Sequence, residues 1–400
     1  MAVIDAEVLI VGAGITGAAL ALALVDAGVP VVLLDRAAPP LPQIDQPLDV
    51  RVSAIHAAAA GWLERLGVWD LIPAACRAPF GRIEVWDASS AARIGFDSAD
   101  IGQPWLGHIV ENRALVAALH ARLSELPAAQ VLAPAAWEDW QVEADRVCLR
   151  LADGRDLSAR LLIGADGAAS PLRLRAGIAA LDEPFGQCAL VCHVATAQPH
   201  GDTARQRFLP TGPLAFLPLA DGRSSIVWST TPAEAQRLAA LPADEFAVEL
   251  GAALGGRLGA IGTVGERAVI PLRGREAARY IGPRLALVGD AAHVVHPLAG
   301  LGANLGLGDA AQLAAGVIGA LKAMRDPGHD HLLRAYERAR RSQNLPVVRA
   351  IVGLHRLFTA KAPPLRVLRG AGLLAVDRAV PLKRLFTTAA CGLDDAAFGI

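Results

Sequence analysis

The run Gly12-Ala13-Gly14-Ile15-Thr16-Gly17 constrains this chain more than any other feature. It follows an apolar segment, Ala6 to Val11, that suits a buried parallel strand, and it precedes an apolar helix predicted from Ile15 to Ala27 and stopped by Gly28. Pro30 to Leu34 reads as a second strand, closing at Asp35. Together they make one βαβ unit of the usual ~30-residue size. Gly12 permits the tight turn, Gly14 lets the backbone approach a pyrophosphate, and Gly17 lets helix and strand pack closely. The helix N-terminus then offers free N–H groups to the phosphates. Asp35, 18 residues after Gly17, is placed to accept hydrogen bonds from ribose hydroxyls, each contributing roughly 1.5–3 kcal/mol. An acid there, rather than an arginine, points to a ribose without a 2′-phosphate, as in FAD or NAD. The competing reading is a glycine-rich turn with a structural aspartate.

Two further turns stand at strand ends. Gly164-Ala-Asp166-Gly167 follows the predicted strand Asp156 to Ile163; alone it is an ordinary Asp-Gly turn. Gly289-Asp290 follows the strand Leu285 to Val288 and leads into Pro297-Leu-Ala-Gly300-Leu301-Gly302-Ala303-Asn304, ahead of a helix predicted from about Gly308 to Leu321. Consecutive exposed N–H groups there suit a negatively polarised group such as the N1–C2=O edge of a reduced flavin. His293 and His296 lack a third ligand close in sequence, so no metal site is expected. Cys188 and Cys192 share one face of a predicted strand, where packing is the ordinary role.

The 400 residues exceed one hydrophobic core and suit two or three domains. The pattern predicts an α/β protein. A Rossmann-like dinucleotide-binding domain is built from three pieces (1–75, 106–181, 271–330). A substrate domain interrupts it in two pieces, 76–105 and the β-rich 182–270, and a helical, basic C-terminal region (331–400) follows. Helices are expected from about Ser53 to Leu66 and from Asn112 to Leu126. Insert strands are expected over Cys188–Val194, Arg205–Leu209, Leu214–Leu219 and Ser224–Ser229. The formal net charge of −1 gives no attraction to nucleic acid. Five scattered cysteines without a C-x-x-C point to a reducing cytoplasm. The N-terminus has no basic region typical of a signal peptide, and the longest uncharged stretch, Ala291 to Gly308, is broken by Pro297 and several glycines. From His331 to Leu393 twelve Lys or Arg face only Glu337 and Asp377. That end is either a solvated charged surface or a docking surface for anionic lipid or partner subunits.

In this order and spacing, the three motifs resemble the FAD-dependent aromatic-ring hydroxylases of the para-hydroxybenzoate hydroxylase fold. Asp49-Val-Arg51-Val-Ser53, Gly67-Val-Trp69, Val110-Glu111-Asn112, Phe208 to Leu219 and Arg341-Ser-Gln343-Asn344 look like its ubiquinone-biosynthesis branch. Pro363-Pro-Leu-Arg366, Gly372-Leu-Leu and Leu382-Lys-Arg384 look most like the member acting at C6 of the methoxy-methyl benzoquinol. The resemblance implies that Gly12, Ala13, Gly14, Ile15, Thr16 and Gly17 hold the FAD pyrophosphate, and that Asp35, with Arg36 beside it, holds the adenosine ribose. It implies that Arg51 faces the flavin, that Arg113 lies near the phosphates or ribityl, and that Asp166 serves both FAD and the nicotinamide cofactor. Gly289 and Asp290 would bond the ribityl chain. Pro297, Gly300, Leu301, Gly302, Ala303 and Asn304 would line the ring, with Pro297, Gly300 and Gly302 nearest the chemistry and no acid or base assignable. Two departures stand out: Leu301 replaces the family glutamine, and Asp35 replaces the commoner glutamate.

The implied reaction is monooxygenation. NAD(P)H visits transiently to reduce FAD, O2 is captured, and a flavin C4a-hydroperoxide passes OH to a phenol ring. The apolar insert has few aromatics, which suits a prenylated ring better than a small aromatic acid. Action at C1 or C5, or on another small phenol, is the nearer alternative; a reductase without oxygen transfer or a non-catalytic FAD scaffold is the remoter. A prenylated substrate favours peripheral contact with the inner membrane.

Overall fold

A computed structural model describes residues 5–40, 49–90, 92–359, 372 and 375–399. Pro363 to Arg366 and residues 373–374 of the C-terminal similarity lie outside the described residues. Among those described, the strands form three sheets.

The first sheet has a parallel heart. Ala6–Val11 lies between Asp156–Gly164 on one side and Val31–Leu34 on the other; Leu285–Leu287 and Ala129–Leu132 extend it outward, all in parallel. These strands are covered on both faces, which explains their unbroken apolar sequences. The helices Ile15–Asp26 and Gly302–Lys322 are far apart in sequence but pack together against these strands through one shared core.

The second sheet forms the insert. The long strand Ala180–Thr196 pairs with Ser224–Thr230 on one edge and Ala268–Ala277 on the other. Gly212–Pro218 and Thr203–Leu209 continue it, and Arg82–Asp87 joins Thr203–Leu209 in parallel before Arg93–Asp97 closes the edge. Each insert strand expected from alternation is present.

The third sheet corrects the expected helix from Ser53. Val52–His56 is a strand, paired antiparallel with Gly107–Glu111, and the helix begins only at Ala57. The pairing partner lies some fifty residues on, so no local pattern announces it. His56 marks the switch: its Nδ1 accepts the Ala59 N–H at 3.0 Å and caps the helix. The helix after Gly300 also starts earlier than expected, at Gly302.

Candidate flavin site

The first motif is held from within. Gly12 has φ +105°, and a Cβ there would lie 2.2 Å from the Ala165 oxygen. A Cβ on Gly17 would lie 1.9 Å from the Gly12 oxygen. Both positions therefore exclude side chains for the fold's own sake. Gly14 differs. Its φ of −73° suits any residue, and a Cβ would meet nothing within 4 Å. The open space in front of Gly14 lies at the N-terminus of the Ile15–Asp26 helix, which has no side-chain cap and no acid in its first turn. This is an anion cradle that an added Cβ would intrude upon.

Ala13 is pinned on both sides of its residue. Its N–H donates to Asp35 Oδ2 at 2.7 Å, and its carbonyl lies 2.9 Å from His120 Nε2. Asp35 Oδ1 accepts the Ala37 N–H. Asp35 thus shapes the loop as well as standing where a ribose would lie; Arg36 beside it is exposed. His120, on the Asn112–Ser124 helix, has no sequence signature that links it to the loop.

The three turns meet. The Ala165 N–H donates to the Val11 carbonyl at 2.7 Å, joining the second motif to the first. Thr16 joins the first to the third: Cβ atoms on Gly289 and Gly306 would lie 2.8 and 2.5 Å from its Oγ1. Within this assembly the two motif aspartates have different uses. Asp166 accepts from Ser170 Oγ at 2.6 Å and from the Leu172 N–H at 3.0 Å, so both its oxygens organise the following helical turn. Burial pushes its carboxyl up in pKa, and these bonds oppose the shift. Asp290 makes no hydrogen bond to another described residue. It is exposed to solvent, yet the surrounding protein desolvates it enough to raise its pKa, against the pull of His293 and Arg51. An acid so placed is free to bind hydroxyls.

Arg51 and Arg113 are brought together by Asp49, whose two oxygens accept their backbone N–H groups at 3.1 and 3.3 Å. Asp49 takes its own position from Glu111, which accepts its N–H at 3.0 Å. The Asp49-Val-Arg51 and Glu111-Asn112-Arg113 segments thereby form one wall of the site.

Behind the third motif lies a buried network that sequence reading missed. Asp309 accepts from the Gly289 N–H at 2.9 Å, pairs with His293 Nε2 at 2.6 Å, and accepts from Arg340 Nε at 2.8 Å and Asn344 Nδ2 at 3.1 Å. Burial alone would raise its pKa, but the charges of His293 and Arg340 outweigh it and hold Asp309 at about 2. Burial opposes the charged form of His293, yet Asp309 overrides it and raises the value. Arg340 also pairs with Asp395, tying the C-terminal segment to this network. One signal was available: Asp309 is the lone acid in the Gly302–Lys322 helix.

The loop Pro297–Gly302 runs between two apolar clusters. Gly300, at φ +63°, comes so close to Ala54 that a Cβ would lie 2.9 Å from the alanine's own. Ala54 belongs with Phe96, Ala204 and Leu217 to the first cluster. Leu298 and Leu301 belong to the second, with Phe208 and Phe358, whose rings stack with centroids 3.7 Å apart. Leu301 therefore supplies packing at the position where the resemblance implies a glutamine. Asn304 does not present its side chain to this space. Its Oδ1 accepts the His56 N–H at 3.0 Å, and its Nδ2 donates to the Ala54 carbonyl at 2.7 Å. What Gly302, Ala303 and Asn304 offer is the uncapped N-terminus of their helix. A separate groove of about 790 Å³ takes in Val295 and His296, just before the loop in sequence.

The other candidates are structural. His296 and His355 both lie against Gln187 Oε1, at 3.2 and 2.9 Å, and burial lowers His296 to about 4. His108 packs edge-on against Trp69 and is lowered by burial to about 4. All five cysteines are free, and burial pushes Cys192 up to about 12. Among the described residues no group of three His, Cys, Asp or Glu is placed to hold a metal, and no helix is long and apolar enough to cross a membrane. The open Gly14 cradle, two uncapped helix N-termini and the unpartnered Asp290 carboxylate together fit a dinucleotide such as FAD.

Comparison with known proteins agrees. The FAD binding domain family model matches residues 5–351. Ubiquinone hydroxylase UbiL of Rhodospirillum rubrum is 41% identical, covering 97% of this chain and 90% of that protein. The 3-demethoxyubiquinol 3-hydroxylase of Escherichia coli is 37% identical, covering 97% and 98%. The mitochondrial ubiquinone biosynthesis monooxygenase COQ6 of Homo sapiens is 34% identical, covering 94% and 90%. Among solved structures, p-nitrophenol 4-monooxygenase PnpA of Pseudomonas putida superposes with a TM-score of 0.78 over 100% of this chain and 99% of that one, at 21% identity, a likeness of fold.

Proposed function

This chain belongs to the family of FAD-dependent hydroxylases of ubiquinone biosynthesis, and we propose that it hydroxylates the ring of a polyprenylated phenol or benzoquinol at C6, using NAD(P)H as a transient reductant and O2 as cosubstrate. The observation that carries the reading is the position of the Pro297–Gly302 loop between two apolar clusters, next to the dinucleotide cradle. FAD, when bound, supplies the oxygen chemistry. The chain's own residues do the rest. The Gly12–Gly17 turn and its helix N-terminus bind the pyrophosphate, Asp290 takes the ribityl hydroxyls, and Asp309 fixes the Gly289 N–H beneath it. Leu298, Leu301 and Phe208 exclude water from the ring's surroundings.

The C6 position rests on the C-terminal sequence similarity, Pro363 to Arg366, Gly372-Leu-Leu and Leu382-Lys-Arg384; the E. coli relative is named for 3-hydroxylation of a demethoxyubiquinol. The higher identity to UbiL, whose name gives no ring position, keeps open a second reading, in which the same site acts at C1 or C5. The five free cysteines support a reducing cytoplasm, and the substrate's prenyl chain supports work at the inner membrane. Purified protein, reconstituted with FAD and given NAD(P)H and a short-chain prenylphenol, is expected to consume one O2 per hydroxylated product, with mass spectrometry fixing the ring position. A colourless protein, or oxygen uptake that yields only peroxide, would overturn the reading.

A further inference from the structure

One buried amide joins the insert sheet, the flavin loop and the C-terminal helix. Gln187, in the strand Ala180–Thr196, donates from Nε2 to the Thr211 carbonyl at 2.5 Å, in the turn between Thr203–Leu209 and Gly212–Pro218. A Cβ on Gly212 would lie 2.6 Å from the same Nε2, so glycine there leaves the amide room. A carbonyl can only accept, so the Thr211 contact fixes which way the amide points. Gln187 Oε1 then faces two rings: His296 Nε2 at 3.2 Å and His355 Nε2 at 2.9 Å, the latter on the helix Asp330–Thr359. Oε1 is itself an acceptor, so both imidazoles must donate from Nε2. Burial lowers His296 to about 4 and keeps it neutral at pH 7; its Nδ1 is then a bare acceptor with no hydrogen-bond partner among the described residues. Phe185 closes the joint, edge-on to both rings with centroids 4.7 and 5.0 Å away. The same three elements meet in the apolar cluster of Phe208, Leu298, Leu301 and Phe358. Apolar contact is non-directional, whereas hydrogen bonds to fixed partners set a register. His296 directly precedes Pro297, so whatever holds its ring holds the start of the Pro297–Gly302 loop.

We propose that Gln187 is a positioning residue, which acts through His296 to hold the Pro297–Gly302 loop in register with the insert sheet. The inference rests on the assigned hydroxylation, in which the loop lines the flavin and the insert faces the substrate. One shared joint keeps those two walls at a fixed spacing. A loop free to shift leaves the substrate ring out of reach of the reacting oxygen. NAD(P)H, a proton and O2 then yield NAD(P)+ and hydrogen peroxide, in place of NAD(P)+, water and a hydroxylated ring. His355, whose neighbours Glu183 and Arg356 are paired with each other, braces the same Gln187 oxygen from the C-terminal helix.

The FAD-loaded full chain serves for the test. In nitrogen-15 NMR of labelled histidines at pH 7, His296 and His355, assigned from His296→Phe and His355→Phe, should both show a protonated Nε2 and a bare Nδ1. Gln187→Leu and His296→Phe should each keep FAD and the far-ultraviolet circular dichroism and shift the visible flavin band. Each should lower the hydroxylated product formed per O2 about tenfold, with KM for a short-chain prenylphenol little changed. The double variant should be no worse than either single one, because the two residues act as a unit. His355→Phe should keep the wild-type band and yield. A His296 that carries its proton on Nδ1 overturns the proposal without any variant having to fold. Additive losses in the double variant overturn it too, as does a His355→Phe protein that loses as much as Gln187→Leu. Wild-type protein that consumes O2 without hydroxylating the ring sinks the assigned reaction instead; the tautomers and the flavin band then still decide the role of Gln187.

Discussion

Asp309 and His293 form a fully buried charge pair, Oδ2 to Nε2 2.6 Å, directly behind the turn that carries Asp290. The same carboxylate group holds the Gly289 N–H and the Arg340 guanidinium. Asp309→Asn keeps the shape but leaves buried positive charge uncompensated. It should lower the free energy of unfolding by about 3–5 kcal/mol in urea titrations. A loss under about 1 kcal/mol would mean that the network is not needed for stability.

The three glycines of the first motif should separate fold from cofactor. Gly12→Ala and Gly17→Ala force a Cβ onto backbone oxygen and should reduce soluble, cooperatively folding protein. Gly14→Ala meets no protein atom. It should fold with an unchanged melting temperature in the absence of FAD, and bind FAD at least about tenfold more weakly by fluorescence titration. Equal FAD affinity in Gly14→Ala would place the pyrophosphate elsewhere.

The two motif aspartates should respond differently. Asp290→Asn, with no protein partner to lose, should weaken FAD binding by about tenfold at unchanged stability. Asp166→Ala loses the bonds to Ser170 and Leu172 and should cost roughly 0.5–2 kcal/mol of stability. Isothermal calorimetry and thermal melts on both variants distinguish the roles; a reversed pattern would refute them.

Acid should destabilise the chain before its carboxylates titrate. His56, His108 and His296 are each lowered by burial from 6.5 to about 4. Between those values the unfolded chain takes up protons that the folded chain refuses, so stability falls as pH drops from 6.5 to about 4, by at most about 1.4 kcal/mol per pH unit per histidine. His293 acts in the opposite sense: its raised value contributes stability below 6.5 that is lost as pH rises through the folded value. The contribution of Asp309 is present above 3.8 and lost as pH falls toward about 2. Burial lowers His193 and His355 as well, so five lowered histidines outweigh one raised, and the urea midpoint should fall from pH 7 to pH 4. His296→Gln should flatten that slope; an unaltered slope would exclude His296 as a source.

Leu301→Gln restores the family residue but sets an amide among Phe208, Phe358 and Leu298. The variant should lose roughly 1–3 kcal/mol of stability and raise KM for a prenylated phenol more than it lowers kcat. An unchanged KM would show that the substrate does not touch this cluster.

Local chemistry made much of this protein legible. The parallel strands read as unbroken apolar runs because both their faces are covered, and the Gly12–Gly17 turn reads as a nucleotide loop because backbone geometry leaves few other residues able to make it. The positions of Gly289, Asp290 and Pro297–Gly302 followed from strand ends and glycines in the same way. What stayed hidden depends on partners far along the chain. Val52–His56 is a strand only because Gly107–Glu111 lies beside it, and Asp49, His120 and Arg340 act through groups 64, 107 and 31 residues away. Tertiary structure alone divided the labour between Asp166, spent on its own helical turn, and Asp290, left without a hydrogen-bond partner among the described residues. Each stands next to a glycine at the end of a strand, Asp166 before Gly167 and Asp290 after Gly289, and only the neighbours' hydrogen bonds decide which carboxylate remains available to a ligand.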